Sequence, residues 1–210
     1  MMFTVPGYKL LKKLYTGPFS DVYIAVSLTE SDRWFVIKVT RDETPGNQEA
    51  AILHHAYRLL KKLHFPGIVQ AKNLVQHENV WALVLDITQI NQTLNEYLLD
   101  QVLPLDKFFF LANQLIDIIS DLHKHNIIHK DIQPNNFLIE TESLKIQLLD
   151  LSISSQLSEE TQDYVNPKIL EGTLAFMSPE QTGRMNRHID YRTDFYSLGV
   201  TFYKMLTGQL

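Results

Sequence analysis

Three residues in the middle of the chain have the types and spacing to share one chemistry. Asp131 is followed five positions later by Asn136, with Pro134 between them, in the run His129-Lys130-Asp131-Ile132-Gln133-Pro134-Asn135-Asn136. On one short loop the acid can orient an attacking hydroxyl and accept its proton, while the amide oxygen ligates a divalent cation beside it. Asp150 closes the strand-like run Ile146 to Leu149. An acid there can hold Mg2+ between phosphates, because Mg2+ favours one or two carboxylates plus phosphate oxygens. Phosphoryl transfer needs mainly positioning and charge neutralisation, so the set suits it. An acid-to-amide spacing alone is common by chance, and the surrounding elements have to support it.

Those elements change character along the chain. Tyr8 to Leu14, Val22 to Ser27 and Trp34 to Thr40 are short runs of aromatic and β-branched residues, which predicts strands. Turn compositions separate them at Thr16-Gly17-Pro18 and Thr29 to Asp32. From Asn47 to Leu63 the apolar residues Ile52, Ala56, Leu59, Leu60 and Leu63 fall at helical spacing. Phe65-Pro66-Gly67 ends that helix. Strand-like Ile68 to Val75 and Val80 to Asp86 follow, with a hinge expected from Asp86 to Asn91. Leu105 to His123 is an amphipathic helix carrying Phe109, Ala112, Leu115, Ile116, Ile119 and Leu122. Phe137 to Ile139 and Lys145 to Leu148 read as strands, Ser152 to Asn166 as a loop, and Thr193 to Thr207 as a last helix.

Bulk properties exclude several classes. The 210 residues are 45% hydrophobic and 20% charged, an ordinary globular balance. A net charge of −5 gives no electrostatic footprint for nucleic acid. With no cysteine, thiolate catalysis and Cys-ligated zinc are excluded. The start of the chain carries no signal-peptide pattern, and no apolar run reaches the roughly 18 residues of a membrane span. A soluble, cytoplasmic protein is expected. His123 and His125 flank a helix end without the i, i+4 pairing of a helical metal site, and His129 is expected to be a packed structural residue.

At these residues the chain resembles the protein kinase family. The run IIHKDIQPNNFL is similar to the catalytic loop H-R-D-L-x-x-x-N, which implies Asp131 as base and Asn136 as metal ligand. Asp150-Leu151-Ser152 takes the place of D-F-G, implying a second metal ligand at Asp150. Ser178-Pro179-Glu180 stands for A-P-E, after Gly172-Thr173, which resembles the substrate-facing loop of Ser/Thr kinases. Asp194 matches the acid that opens the central helix of the larger lobe and props up the catalytic loop. Phe35-Val36-Ile37-Lys38 resembles V-A-I-K, which puts Lys38 on the α and β phosphates of ATP. The glycine-rich loop falls on Tyr15, Gly17, Ser20 and Val22. Val36 would line the adenine slot, Leu85 would guard its back, and the backbone of Asp86 and Thr88 would face the adenine edge.

The resemblance implies an α+β, bilobal protein kinase-like fold that uses ATP and Mg2+. Its β-rich N-lobe, with one helix, would span 7–88, and a mostly helical C-lobe, truncated after its central helix, 89–210. The run from Gly172 to Leu210 is similar, more narrowly, to the kinase domain that opens large bacterial hybrid sensors best known in cyanobacteria. An AAA-type ATPase, a GAF domain and a histidine kinase follow in those proteins. The expected function is ATP-dependent phosphoryl transfer to Ser or Thr of a protein substrate in signal transduction.

Several positions depart from the pattern. One of three loop glycines remains, at Gly17. The helix glutamate that should pair with Lys38 falls on Ala56; Glu49, seven residues earlier, lies about 10 Å away along the axis. Ser152 replaces the D-F-G glycine, and Gln133 replaces the lysine often found two past the base. Glu180 is expected to lack its usual arginine partner. Lys130 stands where arginine would receive a phosphate from Ser158, Thr161 or Tyr164. These departures favour a rival reading, a pseudokinase that binds nucleotide or acts as a scaffold. A second rival, a small-molecule kinase such as an antibiotic phosphotransferase, shares the acid-to-amide loop but lacks the Gly172-Thr173 and Ser178-Pro179-Glu180 segment.

Overall fold

The computed structural model describes residues 4–17, 19–30, 33–40, 47–87, 92–99, 102–157, 173–183 and 188–210. The chain divides into two compact units: Met1–His64 with Ile68–Gln92, and Phe65–Gly67 with Thr93–Leu210.

The first unit is a five-stranded antiparallel sheet with one helix. Strands β1 (Tyr8–Thr16), β2 (Ser20–Ser27) and β3 (Trp34–Thr40) precede α1 (Asn47–Lys62), and β4 (Gln70–His77) and β5 (Val80–Ile87) follow it. Their order in the sheet is β1-β2-β3-β5-β4. Strand β3 is central and buried on both faces, and side chains alternate across it. Phe35, Ile37 and Val39 join Val5, Ala25, Ala82 and Val84 in a core on one face. Tyr8 meets Phe35 edge-on there, with ring centroids 5.2 Å apart. Val36 and Lys38 point to the opposite face, where the register sets Val36 opposite Leu85 and Lys38 opposite Val22. Helix α1 buries Leu53, Ala56, Leu59 and Leu60, with Leu63 just beyond it. Ile52, counted in the apolar stripe, is only half-buried, and Leu53 takes the inward position.

The second unit is mostly helical. The short strand β6 (Gln92–Thr93) leads into α2 (Leu94–Leu98). A capping box opens α2: Thr93 Oγ1 accepts from the Glu96 N–H at 3.0 Å, and Glu96 Oε2 accepts from the Thr93 N–H at 3.3 Å. Helix α3 (Leu105–Lys124) starts directly after Pro104, whose fixed φ suits a helix start. It buries Phe108, Leu111, Leu115, Ile118, Ile119 and Leu122. Phe109 and Ile116 face outward, 59% and 46% exposed, so the buried stripe is rotated from the expected one. Helix α4 (Arg192–Thr207) takes the other side of this packing, with Phe202 edge-on to Phe108 at 5.6 Å. Gly208, at φ +70°, closes α4 by donating to the Lys204 carbonyl.

Between α3 and α4 lie short strands β7 (Ile127–Ile128), β8 (Phe137–Ile139), β9 (Ile146–Leu148) and β10 (Ser155–Gln156), with a 3-10 turn at Pro134–Asn136. β7 pairs with β10 and β8 with β9, both antiparallel. Strand β10 falls inside the stretch read from sequence as loop. Gln114 of α3 pins the β8–β9 turn by donating to the Leu144 carbonyl at 2.9 Å and accepting from the Ile146 N–H at 3.0 Å. Gly67 accepts from the Leu148 N–H at 2.7 Å. Its φ is +84°, and a Cβ there would stand 2.6 Å from Ile118 Cγ1, so only glycine fits. Among the described residues no helix is long and apolar enough to cross a membrane.

Candidate active site

The loop that carries Asp131 is held from below by α4. Asp194, fully buried, accepts from the backbone N–H of His129 at 2.9 Å and of Lys130 at 2.8 Å. Its Oδ2 also bonds His123 Nε2 at 2.8 Å. To present two successive N–H groups to one carboxylate the chain turns sharply, and Lys130 adopts φ +68°. That conformation costs a non-glycine residue about 1–2 kcal/mol, which hydrogen bonds to a buried charge offset. Ser197 and Thr201 extend the same face of α4 at i+3 and i+7. Ser197 Oγ donates to the Phe176 carbonyl at 2.8 Å and Thr201 Oγ1 to the Ile132 carbonyl at 3.4 Å. All three side chains are at most 1% exposed. Their spacing was visible in the sequence, as a polar stripe on an otherwise apolar helix, yet only Asp194 was read from it.

Above this support the side chains converge on Asp131. Its Oδ2 accepts from Asn136 Nδ2 at 2.8 Å and from Gln133 Nε2 at 2.8 Å; its Oδ1 accepts from the Thr173 N–H at 2.9 Å. Asn136 Nδ2 also donates to the Asp131 carbonyl at 2.8 Å, which the 3-10 turn makes possible by folding the loop back on itself. Gln133 reaches the Thr173 hydroxyl as well. His129 is 1% exposed, as a packed histidine should be, and its Nδ1 accepts from the Asp131 N–H at 3.1 Å.

Asp150 joins this group through the backbone. The Leu149 N–H donates to the Asn136 carbonyl at 2.8 Å, which fixes the residue before Asp150 on the turn that bears the amide. Asp150 Oδ1 accepts from the Ser152 N–H at 2.9 Å and from Ser152 Oγ at 2.6 Å. The second unit therefore holds Asp131 and Asn136 in direct contact and sets Asp150 one residue beyond a backbone bond to Asn136.

The downstream segment is anchored to the same loop. Gln181 Oε1 accepts from the N–H and hydroxyl of Ser178, and its Nε2 donates to the Lys130 carbonyl at 2.7 Å. Gln181 went unread in the sequence, because nothing local marks a residue whose partner lies 51 positions away.

In the first unit Val22, Val36, Lys38 and Leu85 share one face of the sheet, while Asp86, paired with Phe35, lies on the other. Lys38 is 2% exposed, and Val22, Val36 and Leu85 are fully buried. Gly17 and Ser20 close the β1–β2 hairpin, the Gly17 N–H donating to the Ser20 carbonyl at 2.9 Å. A Cβ on Gly17 would sit 3.1 Å from that oxygen, so this one glycine has a steric reason to persist. Lys13 and Asp21 clasp the hairpin with an ion pair at 2.6 Å. Burial pushes the Asp21 carboxyl up, but bonds from Lys13, Thr16 and Tyr23 and the Lys13 charge outweigh it, and the net shift is downward. The Asp86 side chain is engaged by Arg33 at 2.7 Å. Thr88, Gly172, Ser158, Thr161 and Tyr164 lie outside the described residues.

A family model described as "Protein kinase domain" matches residues 8–210. The chain belongs to the protein kinase family. A protein of the virus Acanthamoeba polyphaga mimivirus, named "Putative serine/threonine-protein kinase R436", is 31% identical over 95% of this chain and 72% of its own length. Serine/threonine-protein kinase PrkC of Bacillus subtilis is 27% identical over 97% of this chain but 31% of its own length. A Clostridium perfringens protein named as a serine/threonine-protein kinase is 27% identical over 96% of this chain and 29% of its own length. The chain thus spans about a third of those two bacterial relatives.

The fold is accordingly the α+β kinase fold, with its β-rich and helical portions in the two units. Two departures of this kinase domain take physical form. Ala56 is fully buried on α1, and Glu49 Oε2 is buried with no hydrogen-bond partner among the described residues. Glu180, expected to stand alone, accepts from the Thr193 hydroxyl at 2.8 Å and is half-buried.

Proposed function

We propose that this domain transfers the γ-phosphoryl group of Mg-ATP to a serine or threonine of a protein substrate. The observation that carries the reading is the junction of Asp131, Asn136 and Asp150 in the second unit. Asp131 is the base: it orients the substrate hydroxyl and accepts its proton. Asn136 and Asp150 are the metal ligands. The donor set fits a hard cation: with Asn136 Nδ2 bound to Asp131, the amide oxygen is the ligand atom, beside a carboxylate. Bound Mg2+ would supply charge neutralisation on the phosphates. Lys38 is assigned to the α and β phosphates by its V-A-I-K-like strand. Gly17, Ser20 and Val22 are assigned to the loop over the phosphates, Val36 and Leu85 to the adenine slot, and the backbone of Asp86 and Thr88 to its edge. The N-lobe is assigned to 7–88 and the C-lobe to 89–210.

Labelled γ-phosphate supplied as Mg-ATP with a generic protein substrate tests this. Wild-type chain transfers label, and Asp131→Asn lowers the rate ~10²–10⁴-fold, the usual contribution of a general base. Equal rates from both proteins refute the assignment.

A second reading, a pseudokinase that binds nucleotide or scaffolds a partner, is favoured by Ala56 and by the unpartnered oxygen of Glu49. Mg-ATP at 100 times its Kd would raise stability by ~2.7 kcal/mol; that gain without transfer selects this reading. For context we propose that the domain opens a cytoplasmic hybrid sensor, with an AAA-type ATPase, a GAF domain and a histidine kinase downstream. Support comes from the resemblance of the Gly172 to Leu210 run and from the greater length of the bacterial relatives.

A further inference from the structure

The triplet Asp150-Leu151-Ser152 ends in a side chain that takes hold of its own first residue. The Ser152 N–H and the Ser152 hydroxyl both donate to the same oxygen of Asp150, Oδ1, at 2.9 and 2.6 Å. A carboxylate oxygen offers about two lone-pair directions, and these two donors take both. The backbone donor would be present whatever residue stood at 152. The hydroxyl is the addition made by serine, and its short contact to an ionised acceptor belongs to the stronger class of hydrogen bond. A cation that approaches Oδ1 must displace one of the two donors, because a donated proton and a metal ion cannot occupy one lone pair, and the hydroxyl, which can rotate away, is the one that yields.

We propose that the Ser152 hydroxyl competes with Mg2+ for Asp150 Oδ1 and so raises the Mg2+ concentration at which the domain takes up nucleotide. Ser152 is then a positioning residue that acts through Asp150, and it sets the cation dependence of the site. The inference rests on the assignment of Asp150 as a metal ligand made above.

The test is equilibrium binding, independent of phosphoryl transfer. The full chain is titrated with MgCl2 at a fixed concentration of the non-hydrolysable ATP analogue with an imido β–γ bridge, and the rise in melting temperature is followed. Ser152→Ala, which keeps the backbone donor and removes the hydroxyl, lowers the half-saturating Mg2+ concentration roughly 3- to 10-fold, the scale of one modest hydrogen bond. Ser152→Thr restores a hydroxyl and returns the value to within about twofold of wild type. Asp150→Asn removes the charged ligand and raises it well above wild type. A Ser152→Ala value equal to or above wild type, with Asp150→Asn impaired, overturns the competition and leaves the metal assignment intact. An Asp150→Asn curve identical to wild type overturns the assignment and the inference together. Melting temperatures without ligand confirm that each variant is folded.

Discussion

The two units hold their functional side chains by different means. In the second, the reactive loop is suspended in hydrogen bonds: Asp194 grips two backbone N–H groups, and Asp131 receives three donors of its own. In the first, Val22, Val36 and Leu85 keep their places by apolar packing and strand register, on the face of the sheet that also carries Lys38. The polar contacts of its hairpin lie toward solvent: Lys13 is 43% exposed and Asp21 17%. Hydrogen bonds fix the direction of a side chain's lone pairs, which apolar packing alone does not. The loop glycines and the α1 glutamate are missing from the packed unit, whereas Asp131, Asn136, Asp150 and Asp194 are all kept in the hydrogen-bonded one.

The contrast can be broken most directly at Asp194. Asp194→Ala strands two backbone donors and breaks the part-buried His123 contact, and should lower the stability of the chain by about 3–5 kcal/mol. Urea unfolding measures it, and a loss under about 1 kcal/mol would mean the loop is held by something else. A smaller effect is expected at Gly67. Gly67→Ala places a Cβ against Ile118 at a backbone angle that alanine dislikes, for about 2 kcal/mol; an unchanged unfolding midpoint would remove that constraint.

The smallest effect should come from the hairpin clasp of the first unit. The Asp21 carboxyl lies below its ordinary value of 3.8 when folded. Its stabilising contribution is therefore complete above that value and disappears as pH falls through the lower, folded one. Asp21→Asn should flatten the acid limb of the melting-temperature curve and leave the neutral region nearly unmoved, as expected of a partly exposed ion pair. An acid limb that keeps its full slope would assign the pH dependence to other carboxylates.

Much of this was legible beforehand, for reasons that differ by residue. Asp131 and Asn136 lie on one turn, so their spacing alone brings them together. The longer strands and the three long helices were legible because burial repeats with the period of each element. Which way α3 faces was not. It has apolar residues on more than one side, and periodicity does not say that Phe108 turns inward while Phe109 turns out. The capping box of α2 was present as Thr93 and Glu96 but sits in a segment too short to show a period. Strands of two residues, β7 and β10, exist only because each supplies the other's partner.

The sequence by itself determined the order of chemical groups along the chain: an acid, an amide and a second acid, followed by a helix that opens on a third. Those are covalent facts, and no folding alters them. Only the tertiary structure decided that Thr173 reaches back 42 residues to Asp131, and that the Thr193 hydroxyl donates to Glu180. Contacts across such separations depend on where the chain returns, which the whole core settles at once and no local pattern encodes.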